Sequence, residues 1–248
     1  MSTLITHSHF YIPQLEKHRT VRVLLPRNYG KDHKLRFPVI YMLDGQNLFE
    51  PHTAAFQHWK LKEQMERQPL YRQAILVGVD NGGADRISEY APWSRGKNEG
   101  KANLYLEFIQ KTLKPFIDHH YRTWSHAGAT GIVGSSLAGL TSLYAGIEYQ
   151  NTFGKIGAFS PAIWYNPQIS SHLTNKIASG TKVYIAGSKT ESPYMYKTLE
   201  KLYHSLDRSV LPKDHFRVVA RDKGKHAETF WGREFKHMYE WLFPRTVL

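Results

Sequence analysis

The sequence predicts an α/β fold in which helices cover both faces of a mostly parallel central sheet. Short apolar segments rich in valine and isoleucine recur along the chain, and longer segments with helical spacing lie between them. Two short segments, VIYML and AILVGV, are almost wholly apolar, which is typical of parallel strands covered on both faces. With 248 residues, 41% of them hydrophobic and 22% charged, the chain is predicted to form one domain over residues 1–248.

Eight segments are predicted as strands because each is a short apolar run bounded by turn residues. In chain order they are His9–Ile12, Val21–Leu25, Phe37–Leu43, Ala74–Asp80, Gly131–Gly134, Lys155–Phe159, Lys182–Ala186 and Phe216–Ala220.

Five longer segments are predicted as helices because their apolar residues recur at intervals of three and four. They are Ala54–Arg67, Asn103–His120, Leu137–Tyr149, Tyr194–Ser209 and Glu228–Phe243. The stretch Asn81–Gly100, rich in glycine and charge, is predicted as the longest loop. Long loops in compact domains are often functional.

Composition narrows the possible functions. Cysteine is absent, which excludes disulfides, thiolate metal sites and cysteine nucleophiles. No H-E-x-x-H motif occurs, and His7, His9, His119 and His120 lack supporting carboxylates, so no metal site is predicted. The first residues resemble no export signal, and no segment has the roughly 18 consecutive apolar residues that a membrane span needs. We expect a cytoplasmic protein with neither a cleaved signal nor a membrane span.

The formal net charge of +12 raises the question of an anionic partner. The basic residues are scattered, and the densest stretches, 31–36 and 217–225, lack the interleaved aromatic residues of a single-strand nucleic-acid platform. We therefore expect a solvated basic surface that can attract anionic substrates, and no nucleic-acid partner. The oligomeric state is not predicted by the sequence.

The segment TGIVGSSLAGL predicts a nucleophilic serine at position 136. An apolar strand precedes Ser136 and an amphipathic helix follows it, which is the context of a G-x-S-x-G elbow. The sharp turn requires small residues two positions before and after the serine, and Gly134 and Ala138 occupy those positions. With Ser135 as nucleophile, these positions would be Val133 and Leu137, which are too large. A phosphate-binding turn is the alternative, but the P-loop ending is missing.

The predicted base is His226. Hydrolases with this elbow present their catalytic residues in the order serine, acid, histidine, so the base should follow the last strand. His226 lies between the predicted last strand and the final helix, whereas His204 and His237 lie within predicted helices.

Several carboxylates are candidates for the acid that orients this base. Glu191 is the preferred candidate, because the acid should lie beyond the strand KVYIA and Glu191 is in the segment GSKTES that follows it. Asp222 is close to His226 in sequence, and Asp207 and Asp214 are weaker candidates.

Two backbone amides are predicted to form an oxyanion hole, which stabilises the negative charge that develops on a carbonyl oxygen. One is the amide of Leu137, directly after the nucleophile. The other is expected in the loop YMLDGQNLF after an early strand, from Gln46 or, less favourably, Gly45.

Seven segments, in the same order, resemble the esterase family of α/β-hydrolases that includes esterase D (S-formylglutathione hydrolase), enterochelin esterase-like proteins and feruloyl esterases. They are YMLDGQNLF, the helix with Trp59, VGVDNGGADRISEYAPW, GIVGSSLAGL, FGKIGAFSPAIWY, VYIAGSKTE and KGKHAETFWGREFKHMYEWLF.

The resemblance implies an α/β-hydrolase fold in which Ser136 and His226 are catalytic and the DGQN loop contributes to the oxyanion hole. It also implies that four side chains lie near the pocket, namely Trp59, Arg86, Glu89 and Trp164. In the alternative interpretation, Arg86 and Glu89 form a surface ion pair and the indole rings of Trp59 and Trp164 only contribute to packing. The family's acid usually follows a strand and a glycine, which favours Glu191, although the spacing is one residue longer here and some members use a Ser-His pair.

The predicted function is a serine carboxylic-ester hydrolase that acts on a small-molecule ester through an acyl-enzyme intermediate and needs no cofactor. The substrate could be a short-chain acyl, feruloyl or siderophore ester. An acyltransferase on the same fold and a non-catalytic basic binding protein are the alternatives.

Overall fold

The computed structural model describes residues 1–245, and its centre is an eight-stranded sheet. The strands lie in the spatial order β1-β2-β4-β3-β5-β6-β7-β8. Their bounds are Thr3–Ile12 (β1), Lys17–Leu25 (β2), Val39–Leu43 (β3), Ile75–Val79 (β4), Thr130–Ser135 (β5), Lys155–Phe159 (β6), Lys182–Ser188 (β7) and Phe216–Arg221 (β8). The pairs β1/β2 and β2/β4 are antiparallel and the other five pairs are parallel.

The helices cover both faces of this sheet. They are Leu61–Arg67 (α1), Arg86–Tyr90 (α2), Ala102–Phe108 (α3), Lys114–His120 (α4), Leu137–Glu148 (α5), Ile169–Lys176 (α6), Met195–Asp207 (α7) and Glu228–Leu242 (α8). Among the helices of residues 1–245, none combines the length and hydropathy needed to cross a lipid bilayer.

Two hydrophobic cores result from the alternation of side chains along the central strands. All five residues of β3 are buried; Val39, Tyr41 and Leu43 belong to one core and Ile40 and Met42 to the other. Residues of α3 to α7 contribute to the first core, and α1 and α8 contribute to the second. The predicted α/β-hydrolase architecture, with a mostly parallel sheet between two helical layers, is confirmed.

The largest strand errors are at the edge of the sheet. β1 and β2 begin at Thr3 and Lys17, well before the predicted starts at His9 and Val21. The missed starts of both strands are rich in polar residues and several of these are exposed, which fits an antiparallel edge with one solvated face. A search for continuous apolar runs misses such segments.

The helix predictions were wrong at four places. The helix predicted for Ala54–Arg67 begins only at Leu61, because Lys60 has a left-handed backbone with φ of 57°. The helix predicted for Asn103–His120 is interrupted by a π turn at Ile109–Leu113. The short α2 lies inside the predicted loop Asn81–Gly100, and α6 was not predicted.

The parallel strands bring their carboxyl ends to one edge of the sheet, where ligands of open α/β sheets bind. Ser136 directly follows β5, Glu191 lies shortly after β7 and His226 shortly after β8. The turn with Gln46 follows β3, the neighbour of β5. Residues far apart in the chain therefore meet at this edge.

Candidate active site

Ser136 lies on the sharp turn between β5 and α5. Its backbone has φ of 55° and ψ of −123°, a conformation that costs a non-glycine residue on the order of 1–3 kcal/mol and persists only when its surroundings enforce it. Here the amide of Ser136 donates to the carbonyl of Phe159 at 2.8 Å, and its carbonyl accepts from the amide of Ala162 at 3.0 Å. These bonds hold the side chain at the end of the strand, away from the buried Ser135.

The small residues around Ser136 are required by close backbone contacts. A Cβ atom at position 134 would lie 2.5 Å from the carbonyl carbon and oxygen of Ala138 and 2.8 Å from its Cβ. Gly134 is therefore needed for the turn to close. The methyl group of Ala138 is tolerated because it faces a residue without a side chain.

His226 lies within hydrogen-bond distance of this serine. Its Nε2 atom is 2.9 Å from Ser136 Oγ, and its ring forms a T-shaped contact with that of Trp231, with 4.9 Å between centroids and 87° between planes. A neutral imidazole protonated on Nδ1 presents Nε2 as an acceptor for the serine hydroxyl. This arrangement can remove a proton from Ser136.

Glu191 is the carboxylate beside the other ring nitrogen, Nδ1, of this histidine. Its side chain is fully buried, and Oε1 lies 3.6 Å from Nδ1 of His226. Oε1 has no hydrogen-bond partner among the described residues, whereas Oε2 accepts from Ser160 Oγ at 2.8 Å. Contacts of this kind are often long in the absence of substrate and shorten in the reacting complex. The geometry can orient the imidazole and stabilise its charged form.

The rival carboxylates point elsewhere. Asp222 is 88% exposed and accepts from Lys189 at 2.8 Å. Asp207 is paired with Lys213, and Asp214 is exposed. The structure brings Glu191 to His226 and leaves these three apart from it.

Ser160 supports Glu191 and was missed by the sequence analysis. It is fully buried directly after β6, with φ of 45°. Trp231 Nε1 donates to Ser160 Oγ at 3.0 Å, so the hydroxyl proton of Ser160 is left to donate to Glu191 Oε2. The only signal in the sequence was a serine at the carboxyl end of a predicted strand, which says nothing about its partner.

Replacing Ser160 with alanine is expected to lower kcat by about 10- to 100-fold, because a misplacement near 1 Å can cost about 10²-fold. The change removes one donor from Glu191 and leaves the buried Trp231 Nε1 without an acceptor, while the surface that contacts substrate is unchanged. KM should therefore change little. Steady-state kinetics with a short p-nitrophenyl ester measures both parameters.

Ser205→Ala is the matched control for this variant. Ser205 is equally buried, but its hydroxyl bonds within α7 to the carbonyl of Lys201 at 2.8 Å. A similar fall in kcat for both variants, or normal kcat in a folded Ser160→Ala protein, would contradict a positioning role for Ser160.

The two amides predicted for the oxyanion hole are both at the start of a helical turn. Leu137 is the first residue of α5, so its amide has no carbonyl partner within the helix. Gln46 lies in a short 3₁₀ helix, Gly45–Asn47, which has only one turn. A Cβ atom at position 45 would be 2.7 Å from the backbone of Val79, so glycine is needed for this turn to lie against β4.

Arg86 holds the turn that carries Gln46. Its Nε and Nη2 atoms donate to the two oxygens of Asp44, each at 2.7 Å, and Asn81 Nδ2 donates to Asp44 Oδ1 at 2.6 Å. Burial disfavours the charged guanidinium, but the hydrogen bonds and charge of Asp44 outweigh it and raise the pKa of Arg86. The guanidinium therefore forms a two-bond ion pair with Asp44. A direct contact between Arg86 and substrate stays a prediction.

The other three predicted pocket residues differ in their access to the site. Glu89 is 2% exposed and accepts from Arg19 in a buried ion pair. Trp59 is also buried, with its ring 5.6 Å from that of Phe159. Trp164 is 67% exposed. Of these three, Trp164 presents its side chain to solvent, and the predicted contacts with substrate remain predictions.

Comparisons with known proteins show the family and the fold of the chain. The model of a family described as "Putative esterase" matches residues 12–243. The uncharacterized protein YbbA of Bacillus subtilis is 24% identical over 242 residues, which are 92% of this chain and 93% of that protein. The iron(III) salmochelin esterase of Escherichia coli is 23% identical over 230 residues, and the match covers 91% of this chain and about half (52%) of that protein. A solved ferulic acid esterase superposes with a TM-score of 0.74 at 16% identity, covering 98% of both chains.

Proposed function

Because the chain belongs to this esterase family and is a carboxylic ester hydrolase, we propose that it cleaves its substrate with Ser136 as nucleophile, His226 as base and Glu191 as the orienting acid. The observation that carries the proposal is the 2.9 Å contact between His226 Nε2 and Ser136 Oγ. A nucleophile and a base within hydrogen-bond reach, with a third group beside the base, are the signature of an activated serine.

In the first half of the proposed reaction, Ser136 Oγ attacks the ester carbonyl carbon while its proton moves to His226 Nε2. The carbonyl oxygen becomes an oxyanion, which accepts hydrogen bonds from the amides of Leu137 and Gln46. The carbon–oxygen bond to the alcohol then breaks, and His226 returns the proton to the leaving alcohol. An acyl group remains bound to Ser136.

In the second half, water attacks the acyl group as His226 takes a proton from it. The oxyanion forms again, the bond to Ser136 Oγ breaks, and the serine recovers its proton from His226. Glu191 stays ionised throughout and stabilises the imidazolium that forms twice in the cycle. One water is consumed, and one acid and one alcohol are released.

The proposed substrate is a small-molecule ester. The names of two similar proteins, a salmochelin esterase and a ferulic acid esterase, favour a siderophore or feruloyl ester over other choices. A short-chain acyl ester is the third candidate. The exposed Trp164 is the predicted pocket residue that could offer an aromatic face to an aryl group.

A fluorophosphonate probe tests the nucleophile, and a panel of esters tests the substrate. We expect the probe to label the protein once, at Ser136, as located by mass spectrometry of the digested protein. The panel contains short p-nitrophenyl, feruloyl, acetyl-sugar and catecholate siderophore esters. Labelling at another residue would remove Ser136 from its role, and no hydrolysis of any ester in the panel would contradict the proposed reaction.

A further inference from the structure

A groove with an excess of positive charge is lined in part by the chain segments on either side of His226. Its volume is about 1520 Å³, and its walls are α1, α8 and the loop before α8. We call it the basic groove. Six of its lining residues are exposed lysines or arginines, and two are glutamates. The cations are Lys60, Arg67, Lys223, Lys225, Arg233 and Lys236, and the glutamates are Glu63 and Glu228.

These six cations are not neutralised by the protein. Within residues 1–245, none of them has a carboxylate within 4.0 Å. Some lysines on other parts of the surface are paired, as are Lys111 with Glu107 and Lys176 with Glu148. A concave wall lined by one sign of charge concentrates counter-ions, so the basic groove should attract anions.

The floor of the basic groove is preformed. Gln64 Nε2 donates to the carbonyl of Trp59 at 2.8 Å and to that of Gly232 at 2.9 Å, which joins α1 to α8. A Cβ atom at position 232 would lie 2.7 Å from the Trp59 carbonyl oxygen, so the two segments meet backbone to backbone. Lys60, with φ of 57°, has the kind of strained conformation that clusters at binding sites.

Two links place the basic groove next to the reacting atoms. Lys225 directly precedes His226 in the chain. On the other side, Glu228 Oε1 accepts from Asn47 Nδ2 at 3.3 Å, and Asn47 directly follows Gln46. We therefore expect the groove to be within reach of a long substrate bound at Ser136.

We propose that the basic groove binds an anionic part of the ester substrate, so that the preferred substrate carries two or more negative charges away from the scissile bond. This inference rests on the proposed function, because it assigns a substrate class to the same site. The groove exceeds the roughly 300–1,000 Å³ of common small-molecule pockets. The anionic part is thus a bulky group bearing carboxylates or phosphates.

The kinetic test compares p-nitrophenyl butanoate with its 4-phosphono derivative, which differs by the added anionic group. In the variant Lys60→Gln/Arg233→Gln/Lys236→Gln, the kcat/KM ratio of the phosphono ester to the neutral ester should fall about tenfold, the equivalent of 1.4 kcal/mol. The matched control Lys197→Gln/Lys201→Gln/Arg208→Gln removes the same charge from exposed positions on and beside α7. Its ratio should stay within about twofold of the parent, because none of these three residues lines the groove. Equal falls in both variants would overturn the inference.

A binding measurement separates this inference from the proposed function. Tripolyphosphate should bind the Ser136→Ala protein saturably in calorimetry, and binding should weaken about tenfold when the three groove substitutions are added, by the same charge argument. If no ester is hydrolysed, the proposed function fails while this result still supports an anion-binding groove. If tripolyphosphate does not bind, or binds equally with and without the groove substitutions, the inference fails and the proposed function is unaffected.

Discussion

Ser136→Ala and His226→Ala are each expected to lower kcat on short p-nitrophenyl esters by about 10⁶-fold, as loss of the serine or histidine does in comparable triads. Without Oγ no acyl-enzyme can form, and without the imidazole the serine keeps its proton at neutral pH. The double variant should be hardly less active than either single one, because the two residues act as a unit. Steady-state kinetics on purified protein, with thermal unfolding as the check of folding, measures this result.

Two neighbours of the same residue type serve as controls. Ser135 is adjacent to the nucleophile but buried at the end of β5, and His204 is exposed on α7. Ser135→Ala and His204→Ala should keep kcat within a few-fold of the parent, since neither side chain contacts the proposed site. Activity that survives in Ser136→Ala but is lost in Ser135→Ala would move the nucleophile by one residue.

The local part of the site could be predicted because its signals are local. The elbow depends on contacts between residues four apart, such as Gly134 with Ala138, and small residues reveal it in the sequence. The position of His226 followed from the boundary between the last strand and the last helix. Both features are determined by short segments of the chain, so the local sequence is enough to predict them.

The partners of Glu191 could not be predicted in the same way. Its contacts with Ser160 and His226 join the ends of three different strands, and their distances depend on the order β6-β7-β8 in the sheet. In sequence, Asp222 is nearer to His226 than Glu191 is, yet it points to solvent. The sequence favoured Glu191, but only the packed sheet shows which of the two carboxylates lies beside His226.

The helix errors have a similar cause. The segment before α1 has helical spacing, but the amides of Trp59 and Leu61 are taken by the carbonyls of Asn47 and Leu48, which belong to the turn after β3. A tertiary contact thus replaces the local helical bonds and forces Lys60 into its left-handed conformation. Propensity and periodicity do not include such contacts.

Glu191→Gln is expected to lower kcat by about 10⁴-fold, the loss seen when the acid of a comparable triad becomes an amide. The side chain keeps its shape but loses its charge, so it no longer stabilises the imidazolium of His226. Asp222→Asn, the control, changes an exposed carboxylate paired with Lys189 and should leave kcat within about twofold, as surface pairs contribute little. The opposite ranking would show that Asp222 is the acid.

Ser160 determines which way the new amide of Glu191→Gln would point. Because Trp231 Nε1 donates to Ser160 Oγ, the hydroxyl proton of Ser160 is directed at position 191 and requires an acceptor there. The carbonyl oxygen of the glutamine would face Ser160, and its NH₂ group would face Nδ1 of His226. That contact selects the tautomer protonated on Nε2, which cannot accept the proton of Ser136.

The double variant Ser160→Ala/Glu191→Gln tests this chain of hydrogen bonds. Without the Ser160 hydroxyl the amide is free to turn and to offer its oxygen to Nδ1, which restores the tautomer that accepts a proton from Ser136. We expect the double variant to be several-fold more active than Glu191→Gln alone, although Ser160→Ala by itself lowers activity. Such a reversal of sign is the mark of residues in one network, whereas independent residues would give losses that simply multiply. Multiplying losses would show that Ser160 and Glu191 act independently, which contradicts a role of Ser160 in orienting the acid.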